Sequence, residues 1–414
     1  MACVPNNQTF EWNVGRTGQT SSKGDIETHA KIVKHDIGDE MTYRLGIAAA
    51  LLMVSSVASA VSSVTLYGIL SEGIAYVSNE GGANNYKLLT GTLQNNRFGF
   101  KIDEDLGGGT SARAVLENGF DITTGKFQQG GRMFGRQAWV GLSNLSYGSV
   151  FAGRQYDMLY DYLSPFAAPS ASNGLAAHPG DSDNLMGSWR YSNSIKYVSP
   201  SMGGFSLEAL YAFSNLADGF SFNRAFSAGM GYNKGPIQLA AAFTQIDRPG
   251  TGNPNGAVSD DYAGAPFFLY RTSPLNPAVG VERQRNFGFG GSYRVTDRLR
   301  FSALIDNVHY FYLDGTSLNL NNVDASLTYN LSPGLVLGTS YVYSQGKYGG
   351  LDANPHWNTI QCSVDYFLSA RTDVYIYGDF QRETGPHAVA DIYLNAPSTS
   401  GVQTMVVAGI RHRF

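Results

Sequence analysis

The chain has 414 residues and a formal net charge of −4, which fits neither a small disulfide-stapled module nor a basic nucleic-acid binder. Glycine (49), tyrosine (25) and phenylalanine (23) are abundant, 15% of residues are charged, and Cys3 and Cys362 are the two cysteines. That composition suits a large all-β protein and supplies no disulfide framework.

Residues 1–40 are polar and patternless. The next segment, "MTYRLGIAAALLMVSSVASA" (41–60), has Arg44 in a short basic region and an apolar run from Leu45 to Val54. It closes on Ala58-Ser59-Ala60. That three-part order is an export signal, too short and wrongly flanked for a spanning helix. The expectation is that Met41 is the true start, that 1–40 is a non-native extension, and that the mature domain is 61–414. No later run reaches the roughly 18 apolar residues of a transmembrane helix. A membrane form of the mature chain must therefore be a closed barrel, because lipid cannot satisfy an open sheet edge.

From residue 61 onward, alternating stretches recur: "SSVTLYGIL", "RFGFKI", "FSLEALYAF", "NFGFGGSYRV", "LVLGTSYVY", "TDVYIYGDF" and "TMVVAGIRHRF". Short turns such as "EDLGGGT", "NKGP", "VTDR", "LSPG" and "LSAR" alternate with longer polar connections such as "SNEGGANNYKLLTGT". Seven short turns between eight long connections predict a sixteen-stranded antiparallel transmembrane β-barrel, with both termini at the short-turn end. The closing strand then pairs with the opening one, and the barrel is wide enough for an aqueous channel.

Strand alternation assigns the faces. In the closing strand, Phe414, His412, Ile410, Ala408 and Val406 share one parity and Arg413 and Arg411 the other, so the apolar set faces lipid. Phe98, Phe100 and Ile102 point out, leaving Arg97 inward, and Arg113 and Glu117 share the inward parity of their strand. Glu72 shares parity with Leu66, Leu70 and Ile74, which puts it either near the outer rim or in a strand of different register. The thirty residues 158–187, with three prolines, are too long for a structureless loop in a compact fold and read as functional.

The ordered set "NRFGFK" (96–101), "EDLGGGT", "LENGFD" (116–121), "RQAWVGL" (136–142), "GRQYD" (153–157), "SNSIKYVSP" (192–200), "YNLSP", "YFLSA" and terminal "RHRF" resembles the general diffusion porins of Gram-negative outer membranes. The resemblance covers essentially all of 61–414. It implies a homotrimer of sixteen-stranded barrels in the outer membrane, among lipid and lipopolysaccharide, with the third outer loop folded into the lumen. It also implies passive passage of small hydrophilic solutes and ions without a cofactor, and recognition of Phe414 by the barrel-insertion machinery.

By motif, Arg97, Arg136 and Arg190 match the family's basic wall; Arg113 and Arg154 are added to it, and Lys196 also faces inward. The expected acidic side is Glu117, Asp157, Asp161, Asp181 and Asp183. Where many relatives carry Pro-Glu-Phe in the loop, this chain has Ser164-Pro165-Phe166, so a basic constriction and a mild anion preference are expected.

Two further readings carry less support. A substrate-specific channel would need an aromatic track, which Tyr160, Tyr162 and Phe166 only suggest. A barrel hydrolase would need a catalytic constellation, yet His178, His309, His356, His387 and His412 are dispersed, without H-E-x-x-H spacing. His178, His356 and His387 read as loop or rim residues, and Cys362 as a packing residue. "GFGG" (288–291) and "LGGGT" (106–110) lack the strand-to-helix context of a phosphate loop. "DSDN" (181–184) lacks the spaced oxygens of a dedicated calcium site, so no metal is expected.

Overall fold

The computed structural model describes residues 62–264 and 270–414. The expected extension (1–40) and export segment (41–60) lie outside the described residues. Seventeen strands in the described residues form one antiparallel sheet that closes on itself. They are β1 (Ser62–Glu80), β2 (Ala83–Thr90), β3 (Arg97–Gly107), β4 (Thr110–Gly119), β5 (Gln137–Asn144) and β6 (Gly148–Gln155). Next come β7 (Tyr191–Val198), β8 (Phe205–Ala212), β9 (Arg224–Lys234), β10 (Ile237–Asp247), β11 (Val281–Arg294) and β12 (Leu299–Tyr312). The last five are β13 (Ser317–Ser332), β14 (Leu335–Gly349), β15 (His356–Phe367), β16 (Thr372–Thr384) and β17 (Val402–Arg413).

Seventeen segments fill sixteen barrel positions. One edge of β1 pairs with β17, from Ile69↔Arg413 to Val77↔Met405. Its other edge pairs with β3 from Ser62 to Ile69 and with β2 from Glu72 to Glu80. β2 and β3 are therefore one strand interrupted at residues 91–96. The interruption bends inward: Thr92 and Leu93 are buried, and the Leu93 amide donates to Ser71 Oγ at 3.2 Å. Closure pairs every strand on both sides, so no sheet edge is presented to lipid.

The faces follow the alternation. Ile305, Val323, Ile360, Ile376, Val406 and Ile410 are exposed on the outer surface, while Leu304, Asp324, Gln361, Tyr377, Met405 and Arg411 are buried inside. Cross-strand pairs such as Ile305↔Val323 and Ile360↔Phe380 extend the apolar band around the barrel. A slip of one residue would turn each such set into the lumen. Cys362 belongs to the exposed outer set. Phe414 continues β17: its amide and carbonyl bond to Gly68 at 3.1 and 3.0 Å, and its ring covers that glycine where a Cβ would clash.

One end carries seven tight turns, and the other end corrects the expectation that all of its connections are long. The first connection is only Gly81 and Gly82, both at positive φ, and the polar residues beyond it form β2. Residues 313–316 are also a tight turn. Glu72 does face outward, opposite Ile410, so its register holds. The connection after β4 folds over it: Thr123 Oγ1 donates to Glu72 Oε1 at 2.8 Å and the Ile122 amide to Thr90 Oγ1 at 3.2 Å.

Candidate pore constriction

The connection after β6 (residues 156–190) crosses the lumen, because glycines on the far wall make room for it. Tyr162 lies over Gly229 and Gly231, Leu163 over Gly288 and Phe166 over Gly290; a Cβ on any of these glycines would approach within 2.5–2.9 Å. Hydrogen bonds fix the far end. The Ala168 amide donates to Asp324 Oδ2 and the Ala176 amide to Gln361 Oε1, each at 2.8 Å. Gln284 Nε2 donates to the Ser182 carbonyl at 2.8 Å. The segment is thus pinned to the inner faces of β11 to β15. The "GFGG" run is part of this seat. Tyr162 and Phe166 pack into the wall, so the aromatic track suggested for a substrate-specific channel is not assembled.

Across the barrel, charge gathers where β3, β5 and β7 begin. Arg97 opens β3, while Arg136 and Arg190 immediately precede β5 and β7. All three are buried among protein groups, as is Glu117 of β4. Arg136 Nε donates to Glu117 Oε1, and the Tyr67 hydroxyl to Oε2, each at 2.8 Å. Tyr156 and Tyr160 stack with centroids 4.0 Å apart. Arg190 and Arg136 lie 4.9 and 5.9 Å from the Tyr156 centroid, distances at which a ring face attracts a cation. Burial raises the Tyr160 phenol above its ordinary value and Tyr156 adds to this, while Arg136, Arg97 and Arg190 oppose it. Two guanidiniums therefore face one aromatic pair, with the Glu117 carboxylate beside them and Arg97 close enough to act electrostatically on both Glu117 and Tyr160.

Arg113 lies elsewhere, and Arg154, although beside Arg190, is tied to a different carboxylate. Arg113 is four residues toward the short-turn end from Glu117, about 13 Å along the strand, and pairs with Asp103 at 2.8 Å. Arg154 bonds at 2.5 Å to Asp261, which the connection 248–280 brings in on the short helix Asp260–Ala263. Asp261 also accepts the Arg190 amide at 3.0 Å, and Asp260 takes both terminal nitrogens of Arg132.

The acidic side expected on the loop is corrected. Asp157 accepts from Tyr191 Oη at 3.0 Å, Thr244 Oγ1 at 3.1 Å and the Tyr160 amide at 3.1 Å, which fixes the loop's root. Asp181 accepts from the Met186 amide and from Ser188, and Asp183 meets His178. All three carboxylates are fully buried; they fold the loop and do not face the arginines across open water. Burial raises Asp157 to about 6 against the donors that lower it. Asp161 is neutralised locally by Lys196 at 2.5 Å, and Lys196 does point inward. His178, read as a loop or rim residue, lies on the loop and is buried among three aspartates.

Comparison with known proteins agrees with this architecture. A family model described as Gram-negative porin matches residues 48–349. The chain belongs to that family. An outer membrane porin protein of Bordetella pertussis is 30% identical over 89% of this chain and 99% of its own. Outer membrane porin protein 32 of Delftia acidovorans is 32% identical over 48% of this chain and 58% of its own. Among solved structures, an anion-selective porin from Comamonas acidovorans superposes with a TM-score of 0.69 at 23% identity, covering 85% of this chain and all of that one. A trimer form of OmpT from Vibrio cholerae gives 0.61 at 13% identity over 85% of this chain and 99% of its own. This porin is an outer-membrane channel, and its family points to transport rather than catalysis.

Several residues of this charged cluster in the porin escape a sequence reading. Tyr67 and Tyr156 look like ordinary strand and loop aromatics. Asp261 lies 107 residues from Arg154 in sequence; the acidic pair "DD" in a long loop was the only available hint.

Proposed function

We propose that this porin passes small hydrophilic solutes and ions passively with a mild preference for anions, and performs no chemistry on them. Arg97, Arg136 and Arg190 form the basic side of its narrowest ring, with Glu117 their partial counter-charge. The observation that carries this reading is the placement of two guanidiniums, Arg136 and Arg190, against Tyr156 of the stacked Tyr156–Tyr160 pair, with Glu117 bonded to Arg136 and Arg97 close enough to act on both. A fixed positive ring raises the local anion concentration and repels cations, and salt screens the effect beyond about 10 Å at 0.1 M. The name of the Comamonas neighbour carries the same sign of selectivity.

The working form is a homotrimer. Support comes from the trimeric neighbour. The outer apolar band contacts lipid and lipopolysaccharide, and Phe414 is the signal read by the insertion machinery.

Planar-bilayer recording of the purified protein tests both parts. Triplet conductance steps and an anion-preferring reversal potential in a salt gradient are expected. A cation-preferring potential rejects the assignment of the ring, and single steps reject the trimer.

A further inference from the structure

A second polar cluster lies on the same loop, on the side of the barrel away from the guanidiniums. His178 is buried against Asp183 of its own segment, Asp306 of β12 and Asp324 of β13. Its Nε2 stands 2.6 Å from Asp324 Oδ1. At the other ring nitrogen, Nδ1 touches Asp183 Oδ2 and lies 3.3 Å from Asp306 Oδ2. The potential ligand atoms of His178, Asp183 and Asp306 all lie within 4.8 Å of one another.

Protons alone serve this arrangement poorly. An imidazole that gives Nε2–H to Asp324 turns a lone pair at Nδ1 toward two carboxylate oxygens. An imidazolium offers one Nδ1 proton to both oxygens and leaves three buried carboxylates two charges short. Asp306 Oδ2 shows the deficit directly: its side chain is fully buried and no hydrogen-bond donor reaches that oxygen. Its other oxygen accepts from Asn322 Nδ2 at 2.8 Å.

We propose that His178 Nδ1, Asp183 and Asp306 bind a divalent d-block cation such as Zn2+, with Asp324 orienting the imidazole through Nε2–H. One imidazole nitrogen and two carboxylate oxygens suit zinc, whereas calcium takes six to eight oxygens. Tetrahedral ligands with bonds of about 2.1 Å stand about 3.4 Å apart; the Nδ1–Asp306 separation is 3.3 Å, and Asp183, in contact with Nδ1, would have to draw back to admit the ion. A carboxylate on the other imidazole nitrogen is the arrangement that fixes tautomer and ring direction in metal sites. The bound ion would join the inward loop to β12 and so hold the element that narrows the channel.

Protein purified in detergent and stripped with chelator is titrated with Zn2+ alone by calorimetry and with Co2+ alone by visible absorption. One ion per chain is expected, with the strong d–d bands of tetrahedral cobalt and no displacement by excess Ca2+. His178→Ala and Asp306→Asn should each weaken Zn2+ binding by about 100-fold or more, and Asp324→Asn by about 10–100-fold. Asp297→Asn, in a distant turn, should leave it unchanged. Folding of each variant is read from its heat-modifiable gel mobility. Should His178→Ala misfold, the near-isosteric Asp306→Asn carries the test. Absence of saturable Zn2+ binding by folded wild type, or undiminished binding by folded Asp306→Asn, overturns the site.

Discussion

Leu163 of the inward loop occupies the space above Gly288 of β11, where a Cβ would stand 2.5 Å from Leu163 Cδ1. The wall is hollowed by a missing side chain, and the loop fills the hollow. Gly288→Val should therefore lift the loop. Overpacking of this kind costs about 1–3 kcal/mol, and a displaced loop should widen the channel. Thermal melting should fall and single-channel conductance should rise and become noisier. Unaltered conductance would mean the loop does not limit flow at this contact.

The Arg136–Glu117 pair gives a second test. Its side chains are 1% and 5% exposed, so Arg136→Ala leaves a buried carboxylate with Tyr67 as its remaining hydrogen-bond donor. Breaking such a pair costs about 3–5 kcal/mol. The same change removes one positive and uncovers one negative charge, so the reversal potential should move toward cations. Adding Glu117→Gln should recover much of the stability by relieving the stranded charge. If Arg136→Ala alters neither stability nor selectivity, the pair is not central.

Asp157 predicts a pH dependence. Burial holds its carboxyl at about 6 in the folded protein, above the ordinary value of about 4. The folded state therefore binds the proton more tightly than the unfolded chain. Stability contributed by this group is present at low pH, declines as pH rises from about 4 to about 6, and is flat beyond. Asp157→Asn should flatten that part of the profile, so its melting temperature relative to wild type should be higher at pH 7 than at pH 4. An equal offset at both would show that Asp157 titrates normally.

On the outer surface, Val323 lies within the apolar band between Ile305 and Tyr343. An arginine there faces hydrocarbon at a cost of about 2–4 kcal/mol near the bilayer midplane. Val323→Arg should lose that much folding free energy in liposome refolding titrations. A loss below about 1 kcal/mol would place the residue near the interface.

The barrel was legible in sequence because lipid and water sort alternate residues all around it, and Ile410 and Arg411 state that rule side by side. Arg97, Arg136 and Arg190 stand out in the sequence by motif, whereas Arg113, added by strand parity, pairs with Asp103 nearer the short-turn end. What was hidden depends on where a long loop lands. Asp157, Asp181 and Asp183 look like lumen charges until their donors are known, and those donors are mostly the loop's own amides and hydroxyls. His178 meets Asp306 and Asp324 only after the segment has crossed the barrel. The break at residues 91–96 was masked because "LLTGTLQNNRFGFK" has no signal separating an inward kink from a loop.

The pairing of β1 with β17 also bears on quality control during biogenesis. One hydrogen-bonding edge of residues 69–77 finds its partners on residues 405–413, so a product lacking that segment yields a sheet that cannot seal. Truncated products would present that raw flank throughout their transit, a standing invitation to periplasmic proteases. Completion of translation is in this way written into the geometry that lets the molecule persist.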